Sequence, residues 1–215
     1  MVFSHTFHAH AQQDAPGAVG HARAYEVLGA VAFGTRRSRA YGQLARLAGI
    51  GPGDRVLDVG CGPGYLTALA AAAAAPGGRA DGIDPSDSMI DHAQRRRASG
   101  TCAFRHGKAE DLELPDGSVD VVVSSLVIHH VPEELRGLAV AEMFRVLTPG
   151  GRLMIADFRP LGRHLVGALA GETMRDNPVH RIAPMVRAAG FIGVTEGTVR
   201  PFLHYVRAGK PGGDA

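Results

Sequence analysis

Arg55-Val56-Leu57-Asp58-Val59-Gly60-Cys61-Gly62-Pro63-Gly64 is the stretch that decides the fold. Val56 to Val59 is a short apolar run suited to a buried strand, and glycines follow at alternate positions. From Tyr65 to Ala75 alanine and leucine dominate, which predicts a helix. Strand, glycine turn and helix make the first half of a nucleotide-binding unit. Glycine serves two ends in such a turn: it accepts a positive φ, and it lacks the Cβ that keeps a ligand off the backbone. One of these glycines is expected to do the first job and the others the second. A dinucleotide fingerprint spaces its glycines G-x-G-x-x-G and delivers a pyrophosphate to a helix N-terminus. Here they run Gly60, Gly62, Gly64, with Asp58 two residues ahead. A carboxylate there repels a pyrophosphate and suits a cationic ligand carrying an ammonium and a sulfonium.

The rest of the composition narrows the partners. At 215 residues the chain suits one α/β domain with a full core. A net charge of +2 is too mild for a nucleic-acid partner, which would want a broad basic face. The triplet Arg95-Arg96-Arg97 reads as a solvated helix end favoured by the macrodipole. Cys61 and Cys102 show neither metal-ligand spacing nor a disulfide framework, and no metal site is expected. His5, His8 and His10 stand in an irregular N-terminal stretch read as a mobile tail. No apolar run spans a bilayer and no signal-peptide pattern opens the chain, so a cytoplasmic protein is the default expectation.

The run Asp58-Val59-Gly60-Cys61-Gly62-Pro63-Gly64 resembles motif I, D-x-G-x-G-x-G, of the class I S-adenosylmethionine-dependent methyltransferases. Arg79 to Asp84 follows as a second strand, and Asp84 lies 20 residues beyond Gly64, where an acid of a doubly wound fold accepts from ribose hydroxyls. Pro85 ends that strand, Ser86 or Asp87 can cap the next helix, and Met89 with Ile90 begins its apolar face. After a third strand, Cys102 to His106, the segment Gly107-Lys108-Ala109-Glu110-Asp111-Leu112 resembles the family's adenine-recognition turn. The resemblance implies a backbone N–H at Ala109 and a carboxylate at Glu110, with Asp111 the second choice. Many relatives carry an aspartate where Lys108 stands. Val119 to Ser124 is a nearly all-apolar strand, and Ser124 to Pro132 resembles motif IV and the loop beyond it. Glu133 to Leu147 reads as a helix. Phe144 to Gly151, a turn leading into a strand over Arg152 to Asp157, is a further family hallmark.

The resemblance implies a Rossmann-like, doubly wound α/β fold. Its seven-stranded sheet would carry helices on both faces and a C-terminal antiparallel hairpin, from Phe191 to Val199 and Phe202 to Arg207. The expected organisation is a tail over 1–17, helical cover over 18–50 within one domain over 18–208, and a loose tail over 209–215. Against S-adenosylmethionine it sets Asp58, Gly60, Cys61 and Gly62 from the first turn. Asp84, Pro85 and Met89 come from the second, Ala109 and Glu110 from the third, and Ser124 from motif IV. His130 matches the position commonest in relatives for an acid-base residue, and His129 is its alternative; either can instead be structural.

The expected activity is methyl transfer to an oxygen, nitrogen or carbon nucleophile of a small, partly apolar molecule, a secondary metabolite first. A quinone or lipid head group is the alternative acceptor, and a cyclisation aided by the sulfonium charge the alternative reaction. A non-catalytic binding subunit is a third reading, and a homo-oligomer is compatible with all of them. Ser124-Ser125-Leu126-Val127 stands where many amide and base N-methyltransferases carry Asp/Asn-Pro-Pro-Tyr, which argues against DNA adenine and protein glutamine.

Overall fold

The computed structural model describes residues 37–158, 179–200 and 203–213. Val56 to Val59 are all buried and lie in β1 (Arg55–Val59), at the centre of a sheet. To one side stand β2 (Arg79–Asp84) and β3 (Cys102–His106). To the other stand β4 (Val119–Ser125) and β5 (Leu147–Phe158), then β7 (Leu203–Gly209) and β6 (Ile192–Val199). The order β3-β2-β1-β4-β5-β7-β6 makes seven strands, parallel from β3 to β5 and closed by the antiparallel β5–β7–β6 hairpin. This is the doubly wound seven-stranded sheet the sequence predicts, with the last strand inserted between the fifth and sixth.

Alternation along the strands sorts apolar side chains to two faces. Val56, Val121, Val123 and Met154 meet α1 (Arg37–Leu47), α2 (Tyr65–Ala74) and α3 (Asp87–Arg97) through Leu44, Leu66, Ala70 and Ile90. Leu57, Val122, Leu153 and Ile155 meet α4 (Glu133–Val146) and α5 (Val179–Ala188) through Val140, Met143, Ile182 and Val186. Strands are added to one side of β1 up to β3 and to the other side from β4. The loops leaving the C-terminal ends of the parallel β1 and β4 therefore diverge and open a crevice there. At the opposite end of those strands Arg55 grips Asp120 through Nε and Nη2, at 3.0 and 2.8 Å.

Two local readings change. Thr148-Pro149-Gly150-Gly151 is not a break before β5 but a bulge within it. Val119 pairs with Leu147 and Val121 with Arg152, leaving those four residues opposite Asp120. The loose tail from 209 is instead held: Gly209 pairs with Arg152, and Lys210 Nζ donates to the carbonyls of Phe144, Arg145 and Leu147 at 2.9, 3.3 and 2.7 Å. These carbonyls lie in the last turn of α4 and just beyond it, where a cation meets the negative end of the helix dipole. The expected N-terminal tail, the helix over 18–33 and the segment 159–178 lie outside the described residues. No helix among the described residues is long and apolar enough to cross a membrane.

Candidate functional site

The crevice wall begins with Asp58, the second-last residue of β1 and 1% exposed. Its carboxylate is bonded to Thr67 Oγ1 at 2.6 Å from the first turns of α2. Burial, the largest effect, pushes Asp58 up to about 7; the Thr67 hydrogen bond opposes this and the nearby Asp84 adds to it. Asp58 shares a narrow cleft with Tyr41, Gly60, Cys61, Gly62, Tyr65 and Ser125. Tyr41 and Tyr65 meet edge to face, 5.4 Å between ring centroids. α1 therefore covers this end of the sheet with an aromatic side chain at the cleft.

The glycine turn divides its labour differently from the sequence expectation. Gly60, Gly62 and Gly64 all have positive φ, of 72°, 51° and 81°. A Cβ on Gly60 would stand 2.3 Å from Val127 Cγ2, and one on Gly64 would stand 2.5 Å from Phe104 Cε1. Those two positions are kept side-chain-free by the protein's own packing rather than by ligand access. The N–H groups of Gly60 and Cys61 both donate to Ile83 O at 2.8 Å, tying the turn to β2. Arg97 is not a solvated end: Nη1 donates to Pro63 O at 2.9 Å and the guanidinium lies 5.6 Å from the Tyr65 ring centre.

At the end of β2, Asp84 Oδ2 accepts from Gly62 N at 2.8 Å and Oδ1 from Ser86 N at 2.9 Å. Burial raises its pKa; the Ser86 and Gly62 N–H groups, then His106, pull it back. Asp84 O accepts from Gly107 N at 3.2 Å, so the third turn hangs directly on the second. That turn closes with Asp111 N to Lys108 O at 3.3 Å, presenting buried Ala109 and half-buried Glu110. Pro85 is half-buried beside Asp84, and Met89 is 3% exposed in the first turn of α3. Cys61 is buried, and burial holds its thiol well above the ordinary range.

Beyond β4 the chain bends at Leu126, a non-glycine residue at φ 63° whose N–H reaches Ala156 O at 2.8 Å. Such a backbone costs on the order of 1 kcal/mol or more and persists where surrounding structure enforces it. The bend drives Val127 onto Gly60 and leads to His129 and His130. His129 Nδ1 is 2.7 Å from Asp157 Oδ1, and its backbone N–H donates to Oδ2 at 3.2 Å. The Asp157 side chain is fully buried and that of His129 only 6% exposed. The two imidazoles lie 4.0 Å apart between ring centres. Burial, then the charge of His129, pushes His130 down to about 4, with Asp157 opposing.

Alternation along β4 sends Ser124 and Ser125 to opposite faces. The hydroxyl at the cleft is therefore Ser125's, not Ser124's; Ser125 Oγ is buried and has no hydrogen-bond partner. An orphaned hydroxyl beside Asp58 and two tyrosines fits a polar ligand end. No cluster among the described residues could hold a metal ion. Sequence reading missed Thr67, Ser125 and Asp157 as site residues. Asp157 carried a signal, an acid closing an apolar strand whose parallel neighbour ends in the crevice.

Residues 56–151 match the family model described as the methyltransferase domain. The chain is 38% identical over 119 residues to the demethylmenaquinone methyltransferase of Symbiobacterium thermophilum, covering 53% of this chain and 47% of that protein. It is 37% identical over 120 residues to the 27-O-demethylrifamycin SV methyltransferase of Amycolatopsis mediterranei, covering 53% and 43%. In fold it is similar to a SAM dependent methyltransferase from Aquifex aeolicus, with a TM-score of 0.72 at 19% identity, over 88% of this chain and 98% of that one. The segment 56–151 is thus similar to the methyltransferase domain, and the sheet has the fold seen in an S-adenosylmethionine-dependent methyltransferase. The alignments span 30% to 48% of the length of these two and six other curated relatives.

Proposed function

We propose that this domain binds S-adenosylmethionine in the crevice between β1 and β4 and directs its methyl group to a hydroxyl of a small, partly apolar molecule. The observation that carries the choice of acceptor is the His129–Asp157 pair. A hydroxyl must lose its proton as the new O–C bond forms, and an imidazole oriented by a buried carboxylate is built to receive one. Asp157 fixes the proton on Nδ1 and leaves Nε2 as the acceptor. His130, pushed down to about 4, is a weaker base at neutral pH and ranks second. The name of the rifamycin relative describes an O-methyl acceptor and that of the menaquinone relative a quinone, both in keeping with a small apolar substrate.

The cofactor supplies an electrophilic methyl group on a sulfonium, so the protein's main task is alignment. Asp84 takes the ribose hydroxyls: a carboxylate has about four acceptor sites, and two N–H donors leave room for more. Ala109 and Glu110 read the adenine. Asp58, with the Ser125 hydroxyl nearby, faces the methionine end. Calorimetric titration with S-adenosylmethionine, S-adenosylhomocysteine and NAD tests the reading, and mass analysis of hydroxylated aromatic acceptors tests the reaction. Binding of NAD with indifference to both sulfur nucleosides would overturn it. Asp84→Ala is expected to weaken S-adenosylhomocysteine binding by about 1–3 kcal/mol, and an unchanged Kd would remove Asp84 from the site.

Asp58 predicts a pH dependence. Below about 7 the carboxyl is protonated and neutral, and above it the charge that attracts an ammonium is present. Affinity for S-adenosylhomocysteine should rise about tenfold from pH 6 to pH 8, with proton release on binding at the acid end. Asp58→Asn should flatten that rise; a wild-type slope in the variant would discard the assignment. Stability runs the other way. A carboxyl whose folded pKa is raised favours the folded protein at low pH, and that advantage is lost as pH climbs through about 7.

A further inference from the structure

Outside the reacting pair, two side chains of α4 grip a loop by its backbone. Glu142 Oε2 accepts from Leu112 N at 2.9 Å, while Arg145 Nη2 donates to Leu112 O at 3.0 Å and to Glu142 Oε2 at 2.8 Å. Arg145 Nη1 reaches Leu114 O and Asp116 Oδ1, each at 2.7 Å, and Nε closes the pair on Glu142 Oε1 at 2.7 Å. Both polar backbone groups of Leu112 are thus held by one helix, and its side chain is 1% exposed. Leu112 directly follows the turn Lys108 to Asp111, whose other end is tied through Gly107 N to Asp84 O. The turn is pinned at each end, to β2 and to α4. The guanidinium holds Glu142 below the usual carboxylate range, so the acceptor for Leu112 stays ionised. A bidentate, charge-assisted fork of this kind fixes orientation as well as distance.

We infer that Glu142 and Arg145 are positioning residues for nucleobase selection: by fixing Leu112 they hold the Ala109–Glu110 turn in register with the purine edge of the bound nucleoside. The inference rests on the cofactor reading above. A carboxylate at that edge accepts from the exocyclic amine of adenine and repels the carbonyl oxygen that hypoxanthine carries in its place. Such discrimination depends on placement, because a polar group set to meet a partner rejects the analogue that cannot pair. A turn released at Leu112 loses placement while keeping every group that touches the base.

The test is calorimetric titration of the full chain and its variants with S-adenosylhomocysteine and S-inosylhomocysteine. Wild type should prefer the adenosyl compound by about tenfold or more. Arg145→Lys, which keeps the charge and loses the fork, should bring the two affinities within about threefold of one another. Glu142→Ala should do the same, and Glu142→Gln, which retains an acceptor for Leu112 N–H, should keep most of the preference. Should Glu142→Ala fail to fold, Arg145→Lys decides alone. A wild-type ratio in the folded variants overturns the inference while leaving the cofactor reading standing. Loss of the preference in Glu142→Gln equal to that in Glu142→Ala, or a wild type that binds both compounds equally, also overturns it. A wild type that binds neither compound overturns the cofactor reading and the inference with it.

Discussion

Asp157→Asn is expected to lower turnover of a hydroxyl-bearing acceptor by about 10³-fold while shifting the Kd for S-adenosylhomocysteine by less than about threefold. The carboxylate lies 2.7 Å from His129 Nδ1 and can only accept, so the imidazole proton is held on Nδ1. An amide in the same place can offer its NH2 to Nδ1, which moves the proton to Nε2 and removes the lone pair that would receive the substrate proton. With the NH2 in the place of Oδ1, the side-chain oxygen takes that of Oδ2 and can still accept from the His129 backbone N–H, 3.2 Å away, while the Phe158 N–H, 2.7 Å from Oδ1, loses its acceptor. His129→Ala should cost a similar factor. His130→Ala should cost much less, since a group pushed down to about 4 gains little as a proton acceptor at neutral pH. Single-turnover rates with saturating acceptor, beside calorimetric Kd values, separate the two effects. Wild-type rates in both Asp157→Asn and His129→Ala would end the base assignment and return both residues to a structural role.

How much of this was legible in the sequence depends on how locally each feature is encoded. The strands Arg79–Asp84 and Cys102–His106 were readable to the residue because a proline and a glycine punctuate their ends. The sheet order came from the family resemblance rather than from the strands' own letters, because nothing local in an apolar run says which strand it lies beside. Thr148-Pro149-Gly150-Gly151 was not, because turn chemistry has the same letters inside a bulge as before a strand. Lys210 looked like tail for a different reason: its partners are carbonyls at Phe144, Arg145 and Leu147, more than sixty residues away. The site followed the same division. Asp58 and Asp84 came from local spacing and the third turn from the family resemblance, whereas the pairing of His129 with Asp157 needs β4 and β5 side by side. Ser124 and Ser125 are adjacent letters of one type, and only the pleat of β4 decides which hydroxyl meets the cleft.

The glycines make the last case, because their letters were read correctly and their reasons were not. Gly60→Ala is expected to destabilise the fold by about 2–5 kcal/mol, a large part of a typical domain's stability. Two costs add. A residue with a Cβ held at φ 72° pays about 1–2 kcal/mol. The Cβ would also stand 2.3 Å from Val127 Cγ2, an overlap relieved only by moving the loop that leads to His129, at roughly 1–3 kcal/mol. Gly53 isolates the first cost, since at φ 87° it has nothing within 4 Å of a Cβ, so Gly53→Ala should lose only about 1–2 kcal/mol. Val127→Ala placed in the Gly60→Ala chain should recover most of the overlap cost and none of the backbone cost. Urea unfolding of the four proteins measures each step, with the midpoint read at constant slope. Equal losses at Gly60 and Gly53, or no recovery with Val127→Ala, would mean that the contact with motif IV does not decide this glycine. A ligand approaching its backbone would then again be the better reason for it.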